Sequence, residues 1–279
     1  MTVDVAAALA HARTLGVDRL DAQLLLARAL GRSRSWLLAH GDATIDAAPW
    51  ATLRGEFARR AAGEPLAYVL GEKEFHGLLL QVTPDVLVPR PDTETLVDWG
   101  LELLRTRLAE RATPNVVDLG TGTGAVALAV KHGAPGAQVS AVDVSPAALA
   151  VAGSNARRCG LPVTLHAGDW WQPLAGQRFD LALSNPPYIA QADPHLPALS
   201  HEPRLALVSG ADGLDALRRI VADAAGHLEP GGWLLVEHGH DQAPAVRTLF
   251  LNAGFVEVET RSDLSGIGRC TGGTPSASA

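Results

Sequence analysis

The chain has 279 residues, 47% of them hydrophobic and 19% charged, which is enough apolar material for a full α/β core and a second small domain. Its net charge of −7 argues against binding through nucleic-acid phosphates, and no apolar run approaches the ~20 residues that span a bilayer. The two cysteines, Cys159 and Cys270, lack metal-binding spacing. We expect a monomeric cytoplasmic protein with free thiols, no metal site, no membrane segment and no stable nucleic-acid complex.

The first part of the chain has the pattern of a small helical bundle. Between residues 3 and 62, apolar residues recur at helical spacing, and glycine-containing breaks separate several short helices. We expect residues 1–73 to form this N-terminal domain.

The rest of the chain predicts a linker and then an α/β domain. Residues 74–90 alternate well enough to form a β-hairpin, with Thr83-Pro84-Asp85 as its turn. Residues 91–271 alternate strands with helices, as in a doubly wound, Rossmann-like sheet. Small residues and a proline fill residues 272–279, which we expect to be disordered after a short or weak last strand.

The α/β domain opens with Asp92-Thr93-Glu94, whose acids suit the positive N-terminus of a helix and could equally line a cleft. Apolar patterning and turn residues then predict helices and strands in alternation. In chain order these are helix 95–108, strand 115–117, helix 125–130, strands 138–143, 163–166 and 179–184, helix 214–228, strand 233–237, helix 242–253 and strand 255–260.

A glycine-rich loop follows the first strand of this domain. It comprises Gly120, Thr121, Gly122, Thr123 and Gly124. Glycines let the backbone approach a ligand closely, and roughly 20 residues later Asp143 ends the second strand, where a carboxylate can accept both hydroxyls of a ribose. Loop and acid predict a cofactor with a nucleoside part; because Ala125 completes a looser dinucleotide fingerprint, a nicotinamide enzyme stays open at this point.

Further polar residues follow the third and fourth strands. Asp169-Trp170 comes after the third strand, and a proline turn comes after the fourth. Ligands bind at the carboxyl ends of strands in open α/β sheets, and this order along the chain is the layout of a methyltransferase that uses S-adenosylmethionine. In that layout Asp169 and Trp170 would meet the adenine, while Trp171 faces the other way into the core.

The proline turn, Asn185-Pro186-Pro187-Tyr188, predicts a site for a planar amino group. Its prolines fix φ and donate no hydrogen bond, so the Asn185 side-chain oxygen and the Pro186 carbonyl are expected to point outward as two acceptors. Holding both N–H bonds of a carboxamide or aromatic amine turns the nitrogen toward an electrophile. Tyr188 would stack on the substrate plane.

Together these motifs resemble the HemK/PrmC family over nearly the whole chain. The matching segments are Arg60 with residues 63–65, and residues 71–75, 89–94, 118–124, 141–143, 168–170, 184–188 and 235–239, while residues 267–273 depart from the family pattern. Enzymes of this family methylate the side-chain amide nitrogen of a glutamine in class I peptide chain release factors. The resemblance implies the same activity here, with the N-terminal bundle helping to recognise the release factor.

The layout and the resemblance together assign the candidate site residues. S-adenosylmethionine would be bound by Gly120, Thr121, Gly122, Thr123, Gly124, Asp143, Asp169, Trp170 and Asn185. The substrate glutamine would be bound by Asn185, Pro186, Pro187 and Tyr188. Of these, Asn185 and Pro186 would be catalytic, because they stabilise the charge that grows on the amide N–H groups.

Two other functions stay open on the sequence. An exocyclic-amine methyltransferase acting on adenine would use the same turn, usually on a flipped base, although the acidity and the helical front argue against it. A protein that binds the cofactor or a ribosomal partner without catalysis is the other.

The histidines are expected to have no role in the reaction. His238 and His240 lack further metal ligands. His195 and His201 are expected to be loop residues, because amide methylation needs no strong base before attack.

Overall fold

A computed structural model of the chain describes residues 2–276. The chain divides into two compact units, residues 1–72 and 73–279. Among the described residues, no helix is both long and apolar enough to cross a membrane. The roles that the sequence suggests for the domains stay predictions.

The first unit is the predicted helical bundle, with one short strand pair added. Its elements are β1 Val3–Asp4, α1 Val5–Thr14, α2 Arg19–Leu30, α3 Arg34–Ala39, β2 Thr44–Ile45, α4 Ala47–Ala61 and α5 Leu66–Leu70. Asp4 caps α1 by accepting a hydrogen bond from the Ala7 N–H at 2.7 Å. Leu25, Leu53 and Phe57 are fully buried in its core.

A β-hairpin follows, but its turn is not the predicted one. Strands β3, Glu72–Phe75, and β4, Leu78–Gln81, are joined by His76 and Gly77, whose φ angles are 48° and 80°. Two central residues with positive φ match the right-handed twist of the flanking strands, so this pair turns the chain. Thr83-Pro84-Asp85 lies after the second strand, where the Thr83 hydroxyl donates to Asp85 at 3.0 Å, and the prediction of a turn there within the hairpin is wrong.

A seven-stranded mixed sheet forms the centre of the second unit. Its strands are β5 Asn115–Leu119, β6 Gln138–Asp143, β7 Thr164–Ala167, β8 Phe179–Ser184, β9 Leu228–Glu237, β10 Phe255–Ser262 and β11 Gly268–Pro275. The order is β10-β11-β9-β8-β5-β6-β7, and the run from β7 to β9 is parallel. β11 is antiparallel to both of its neighbours. The predicted doubly wound α/β arrangement is confirmed.

Helices cover both faces of this sheet because its strands are apolar on both sides. They are α6 Glu94–Arg105, α7 Ala125–Gly133, α8 Pro146–Cys159, α9 Asp215–Ala224 and α10 Ala243–Asn252. On one face Val116 and Leu181 pack in a cluster with Leu96, and on the other Val117 packs in a cluster with Ile220. Alternate residues of one strand thus serve two cores, as expected for a buried parallel sheet.

The C-terminal strand differs from the sequence expectation. Residues 272–275, predicted to be disordered, belong to β11, which pairs with β9 and β10 over most of its length. A Cβ atom on Gly272 would lie 2.3 Å from a Leu235 methyl and 2.9 Å from a Trp99 ring carbon. Small residues here let the strand fit between its neighbours, so the composition that suggested disorder reflects tight packing. Residues 277–279 lie outside the described residues.

Candidate active site

A cavity of about 460 Å³ opens at the carboxyl ends of β5, β6 and β8. We call it the strand-end cavity. Every residue predicted to bind a cofactor except Gly124 lines this cavity. These residues are Gly120, Thr121, Gly122, Thr123, Asp143, Asp169, Trp170 and Asn185. Gly124 instead lies directly before α7 as its N-cap, with φ 82°, and a Cβ atom there would lie 3.3 Å from that of Ala152. A glycine here lets the loop turn into the helix, and the predicted contact of Gly124 with a cofactor stays a prediction.

The glycine loop leaves room for the Trp170 ring. Gly120 has φ 75°, and a Cβ atom on it would meet the Trp170 ring at 3.0 Å. Trp170 itself has φ 49°, a left-handed conformation that is an outlier for a bulky residue. Such strain persists only where surrounding structure enforces it, and it concentrates at functional sites. The result is an indole ring set against the loop backbone.

Asp143 is anchored by backbone groups and keeps acceptor capacity. Its Oδ2 accepts a hydrogen bond from the Gly122 N–H and its Oδ1 accepts one from the Ser145 N–H, both at 2.9 Å. Burial raises the pKa of Asp143, and these backbone hydrogen bonds oppose the shift. The two carboxylate oxygens together have about four lone-pair sites, so after hydrogen bonding to the backbone at Gly122, Val144 and Ser145 the carboxylate keeps capacity to accept from a ligand hydroxyl.

The two adjacent tryptophans take different positions, as the sequence predicts. Trp171 is 3% exposed and donates its indole N–H to the Ile220 carbonyl at 2.9 Å, so it belongs to the core. Trp170 lines the strand-end cavity. Asp169 also lines it, and its carboxylate pairs with the Arg219 guanidinium at 2.5 Å.

The proline turn stands between the strand-end cavity and a second pocket of about 120 Å³, which we call the proline-turn pocket. Asn185 lines both, Pro187 lines only the first, and Pro186 and Tyr188 line only the second. The structure therefore brings together all four turn residues at a junction of two cavities.

The orientation of Asn185 is set by a residue on another element. Its side-chain NH₂ donates to the hydroxyl of Thr93 at 3.0 Å, and Thr93 is 4% exposed. With the nitrogen engaged, the amide oxygen is left as the free acceptor of the side chain. Thr93 ends the short 3-10 turn Pro91–Thr93 that precedes α6.

A buried carboxyl group lies against the proline turn. The Tyr188 hydroxyl donates to Glu237 Oε1 at 3.2 Å, and Glu237, the last residue of β9, is 1% exposed. Burial raises the pKa of Glu237 to about 7, while the hydroxyl groups of Thr93 and Tyr188 and the charge of Arg269 oppose the rise. The pKa of the Tyr188 phenol is raised in turn, mainly by burial. Tyr188 is thereby held as a neutral donor.

A second buried carboxyl group lines the strand-end cavity at the end of β5. Asp118 Oδ2 accepts from the Thr121 hydroxyl at 2.6 Å and from the Ala127 N–H at 3.2 Å. Burial raises the pKa of Asp118 to about 7 despite these hydrogen bonds. The sequence analysis included Asp118 in the matching segment 118–124 but gave it no role.

The segment before α6 is tied to the connection after β8. Arg90 lines both cavities and pairs with Glu202, which is buried and also accepts from the Val88 N–H at 3.3 Å. Sequence reasoning matched residues 89–94 to a family motif but missed Glu202. An isolated Glu in a long loop carries no sequence signal, because its partner lies 112 residues away.

Two of the histidines that the sequence singled out lie in different settings. His238 is fully buried, and its Nε2 lies 2.9 Å from the Thr271 hydroxyl, while burial lowers its pKa. His195 is exposed and pairs with Asp193 at 2.9 Å. Within residues 2–276, no group of three or more His, Cys, Asp or Glu side chains is arranged to hold a metal ion.

Comparison with known proteins gives one consistent answer. Residues 93–201 match the family described as Methyltransferase small domain, and residues 4–71 match the PrmC N-terminal domain. The chain is 52% identical over 261 residues to the release factor glutamine methyltransferase of Bordetella pertussis, with 92% of this chain and 95% of that one covered. The protein of the same name from Xylella fastidiosa strain Temecula1 is 48% identical over 273 residues, with 95% and 98% covered.

A solved structure shares the fold at low identity. The T. thermophilus 16S rRNA N2 G1207 methyltransferase, in complex with AdoMet and guanosine, superposes with a TM-score of 0.54 at 21% identity, covering 73% of this chain and 49% of that one. With the domain match, this confirms the predicted methyltransferase sheet. The identities over nearly the full length decide the rest: the chain belongs to the release factor glutamine methyltransferase family.

Proposed function

We propose that this protein transfers a methyl group from S-adenosylmethionine to the side-chain amide nitrogen of the glutamine in the Gly-Gly-Gln motif of class I peptide chain release factors, and so modulates translation termination. The observation that carries the proposal is the position of Asn185. It lines two cavities at once, and its NH₂ is engaged by Thr93, so its oxygen is available where a donor and an acceptor molecule would meet. Family membership supports the same reaction.

The strand-end cavity fits S-adenosylmethionine. Its volume of about 460 Å³ is within the usual range for ligand pockets. The remaining acceptor capacity of the Asp143 carboxylate suits the ribose hydroxyls, the backbone at Gly120 and Gly122 can approach the ligand closely, and the Trp170 ring offers a flat face to the adenine. When bound, the cofactor supplies an electrophilic methyl group on a positively charged sulfur.

The proline-turn pocket suits the side chain of a glutamine. Asn185 and the Pro186 carbonyl would accept the two N–H bonds of the substrate amide, and Tyr188 would pack on its plane. Because the nitrogen lone pair of an amide is delocalised, the turn has to hold the nitrogen in line with the methyl group. Asn185 and Pro186 would then stabilise the positive charge that develops on the N–H groups during transfer. The proton can leave afterwards to water.

The partner and setting follow from this reaction. The N-terminal bundle, predicted as residues 1–73 and matching the PrmC N-terminal domain over residues 4–71, would help to recognise the release factor, because the proline-turn pocket of about 120 Å³ offers little surface for contact with a protein. We infer that the protein works as a monomer in the cytoplasm, where translation terminates.

The test is a transfer assay with labelled S-adenosylmethionine. The purified protein is incubated with a class I release factor and, as matched control, with the same factor carrying Asn in place of the Gly-Gly-Gln glutamine. Label on the unaltered factor only is the expected result. No label on either factor, with DNA or RNA labelled in a parallel reaction, would move the function to adenine methylation, which the same turn could support.

A further inference from the structure

The lining of the proline-turn pocket includes two segments that lie far apart in the chain. Residues 87–90, which we call the entry segment, contribute Leu87 and Arg90, and residues 199–207, the return segment, contribute Leu199 and Ala206 among others. Leu87, Arg90 and Ala206 also line the strand-end cavity. Because the pocket has a volume of only about 120 Å³, a small shift of either segment changes the space beside Asn185.

The return segment is attached to the proline turn at its end. The Ile189 N–H donates to the Leu207 carbonyl at 2.9 Å, and the Ser209 N–H donates to the Ile189 carbonyl at 2.9 Å. Further back, the Glu202 N–H donates to the Leu199 carbonyl at 2.9 Å, a local hydrogen bond that folds the segment without joining it to another element. A side chain makes the connection to the entry segment.

That side chain is Glu202, which binds the entry segment at two points. Its Oε1 pairs with the Arg90 guanidinium, and its Oε2 accepts from the Val88 N–H at 3.3 Å. The Glu202 side chain is 3% exposed, so both oxygens of a buried carboxylate are in use. Apolar residues of similar volume often replace a buried ion pair with no loss of stability. Stability alone therefore does not explain why an ion pair joins these segments.

Hydrogen bonds continue from the entry segment to the proposed reacting centre. The Arg90 carbonyl accepts from the Thr93 N–H at 3.2 Å, and the Thr93 hydroxyl accepts from the Asn185 NH₂ at 3.0 Å. Glu202, Arg90, Thr93 and Asn185 thus form one connected series from the return segment, through the entry segment, to the proline turn. The position of Arg90 consequently bears on both the width of the pocket and the placement of Asn185.

We propose that Glu202 is a positioning residue, which by binding Arg90 and Val88 fixes the spacing of the entry and return segments and so holds the substrate amide in line with the methyl group. This role rests on the proposed methyl transfer and adds no chemical step to it. A loosened pocket still admits the glutamine but lets its nitrogen leave the line of attack, and a misplacement of about 1 Å can lower a rate about 10²-fold. Glu202 therefore affects kcat more than binding.

Glu202→Gln tests the link to Arg90. A Gln side chain keeps one oxygen for the Val88 N–H but places no negative charge against Arg90. We expect kcat to fall by about tenfold or more, while KM for the release factor and affinity for S-adenosylmethionine change by less than about threefold. Expressing kcat per cofactor-binding site, counted by calorimetry, separates this effect from a loss of folded protein. The matched control, Glu102→Gln, breaks an exposed pair with Arg261 away from both cavities and should keep wild-type kcat.

Arg90→Met, alone and combined with Glu202→Gln, shows whether Glu202 acts through Arg90. Arg90→Met alone leaves a buried carboxylate without its cation and should destabilise the protein, whereas the double variant removes that charge and should recover stability. If the two residues act as a unit, kcat per site in the double variant is no lower than in Arg90→Met. Losses that multiply in the double variant would overturn an action of Glu202 through Arg90.

Hydrogen exchange followed by mass spectrometry gives a readout without turnover. In Glu202→Gln, amides of residues 86–93 and 196–207 should exchange faster, while those of β5 and β6 exchange as in wild type. Faster exchange throughout the sheet, or a kcat per site within about twofold of wild type, overturns the positioning role alone. Absence of transfer by the wild-type protein overturns the proposed function, and the role of Glu202 with it.

Discussion

The Asn185 side chain donates to the Thr93 hydroxyl at 3.0 Å across 92 residues of sequence. Thr93 ends the turn before α6 and Asn185 follows β8, so the contact joins two elements that flank the same cavity. Thr93→Val keeps the shape and removes the hydroxyl, which should lower kcat by about tenfold while leaving cofactor affinity unchanged. Steady-state kinetics and calorimetry check this, with Thr93→Ser as the control that retains activity. An unchanged kcat in Thr93→Val would contradict the role of Thr93.

Asn185→Ala removes the acceptor oxygen at the junction of the two cavities. We expect turnover to fall by about 10²- to 10³-fold, as for other groups that stabilise developing charge, with cofactor binding largely retained. Single-turnover assays and calorimetry separate the two effects. Wild-type turnover in Asn185→Ala would show that the proline turn acts without this side chain.

Asp143→Asn tests the anchored carboxylate. An Asn side chain has one acceptor oxygen, so its NH₂ would face either the Gly122 or the Ser145 N–H, and one hydrogen bond is lost. Affinity for S-adenosylmethionine should weaken by about tenfold or more, while kcat at saturating cofactor changes less. Calorimetry measures the first and kinetics the second. Equal affinity in wild type and variant would remove Asp143 from the cofactor site.

Asp118 makes stability depend on pH. Its folded pKa of about 7 lies above its unfolded value, so its contribution is fully present below the unfolded pKa of 3.8 and is lost as pH rises through about 7. The free energy of unfolding should therefore fall between these values, by up to about 1.4 kcal/mol per pH unit for this group.

Denaturant titrations at several pH values check this, with two variants. Asp118→Asn should flatten the slope, so that its stability relative to wild type increases as pH rises. Asp212→Asn is the control, because the pKa of exposed Asp212 is lowered to about 2 and acts only at lower pH. Glu237, whose pKa is also raised to about 7, should leave part of the slope in Asp118→Asn, whereas a slope as steep as that of the wild type would show that Asp118 does not contribute.

Gly272→Ala should destabilise the protein by about 2 kcal/mol or more, because the added Cβ would lie 2.3 Å from a Leu235 methyl and 2.9 Å from the Leu234 carbonyl oxygen. Gly55→Ala is the matched control: nothing lies within 4 Å of its added Cβ, and it is exposed within α4. Alanine favours a helix interior, so that variant should gain up to about 1 kcal/mol. Thermal and denaturant unfolding compare the two. Equal stabilities would argue against the packing of β11 described above.

Much of the fold is predictable from local pattern, and the exceptions have identifiable causes. Strands β6 and β8 have the bounds that the sequence indicates, because both are apolar runs that end at a polar residue. Helix α8 was not predicted, although Ser145 caps it, Pro146 occupies its first turn and Gly160 ends it. The hairpin turn was misplaced because Thr-Pro-Asp is a stronger turn signal than His-Gly.

The site was predictable where its residues follow strands and unpredictable where they meet across the fold. Gly120, Asp143, Trp170 and Asn185 could be placed because the carboxyl ends of parallel strands share one edge. The contacts of Thr93 with Asn185 and of Tyr188 with Glu237 depend on tertiary packing, which no periodicity records.

The position of β11 has a consequence for folding during synthesis. β9 and β10 leave the ribosome before β11, yet β11 lies between them in the sheet. Until β11 emerges, one edge of β9 has no strand to pair with, and Glu237 lacks the Cys270 backbone opposite it. We therefore expect nascent chains that stop before residue 268 to bind the cofactor poorly or not at all and to aggregate, because the edge of β9 opposite β8 is closed only by the strand that is made after both of its neighbours.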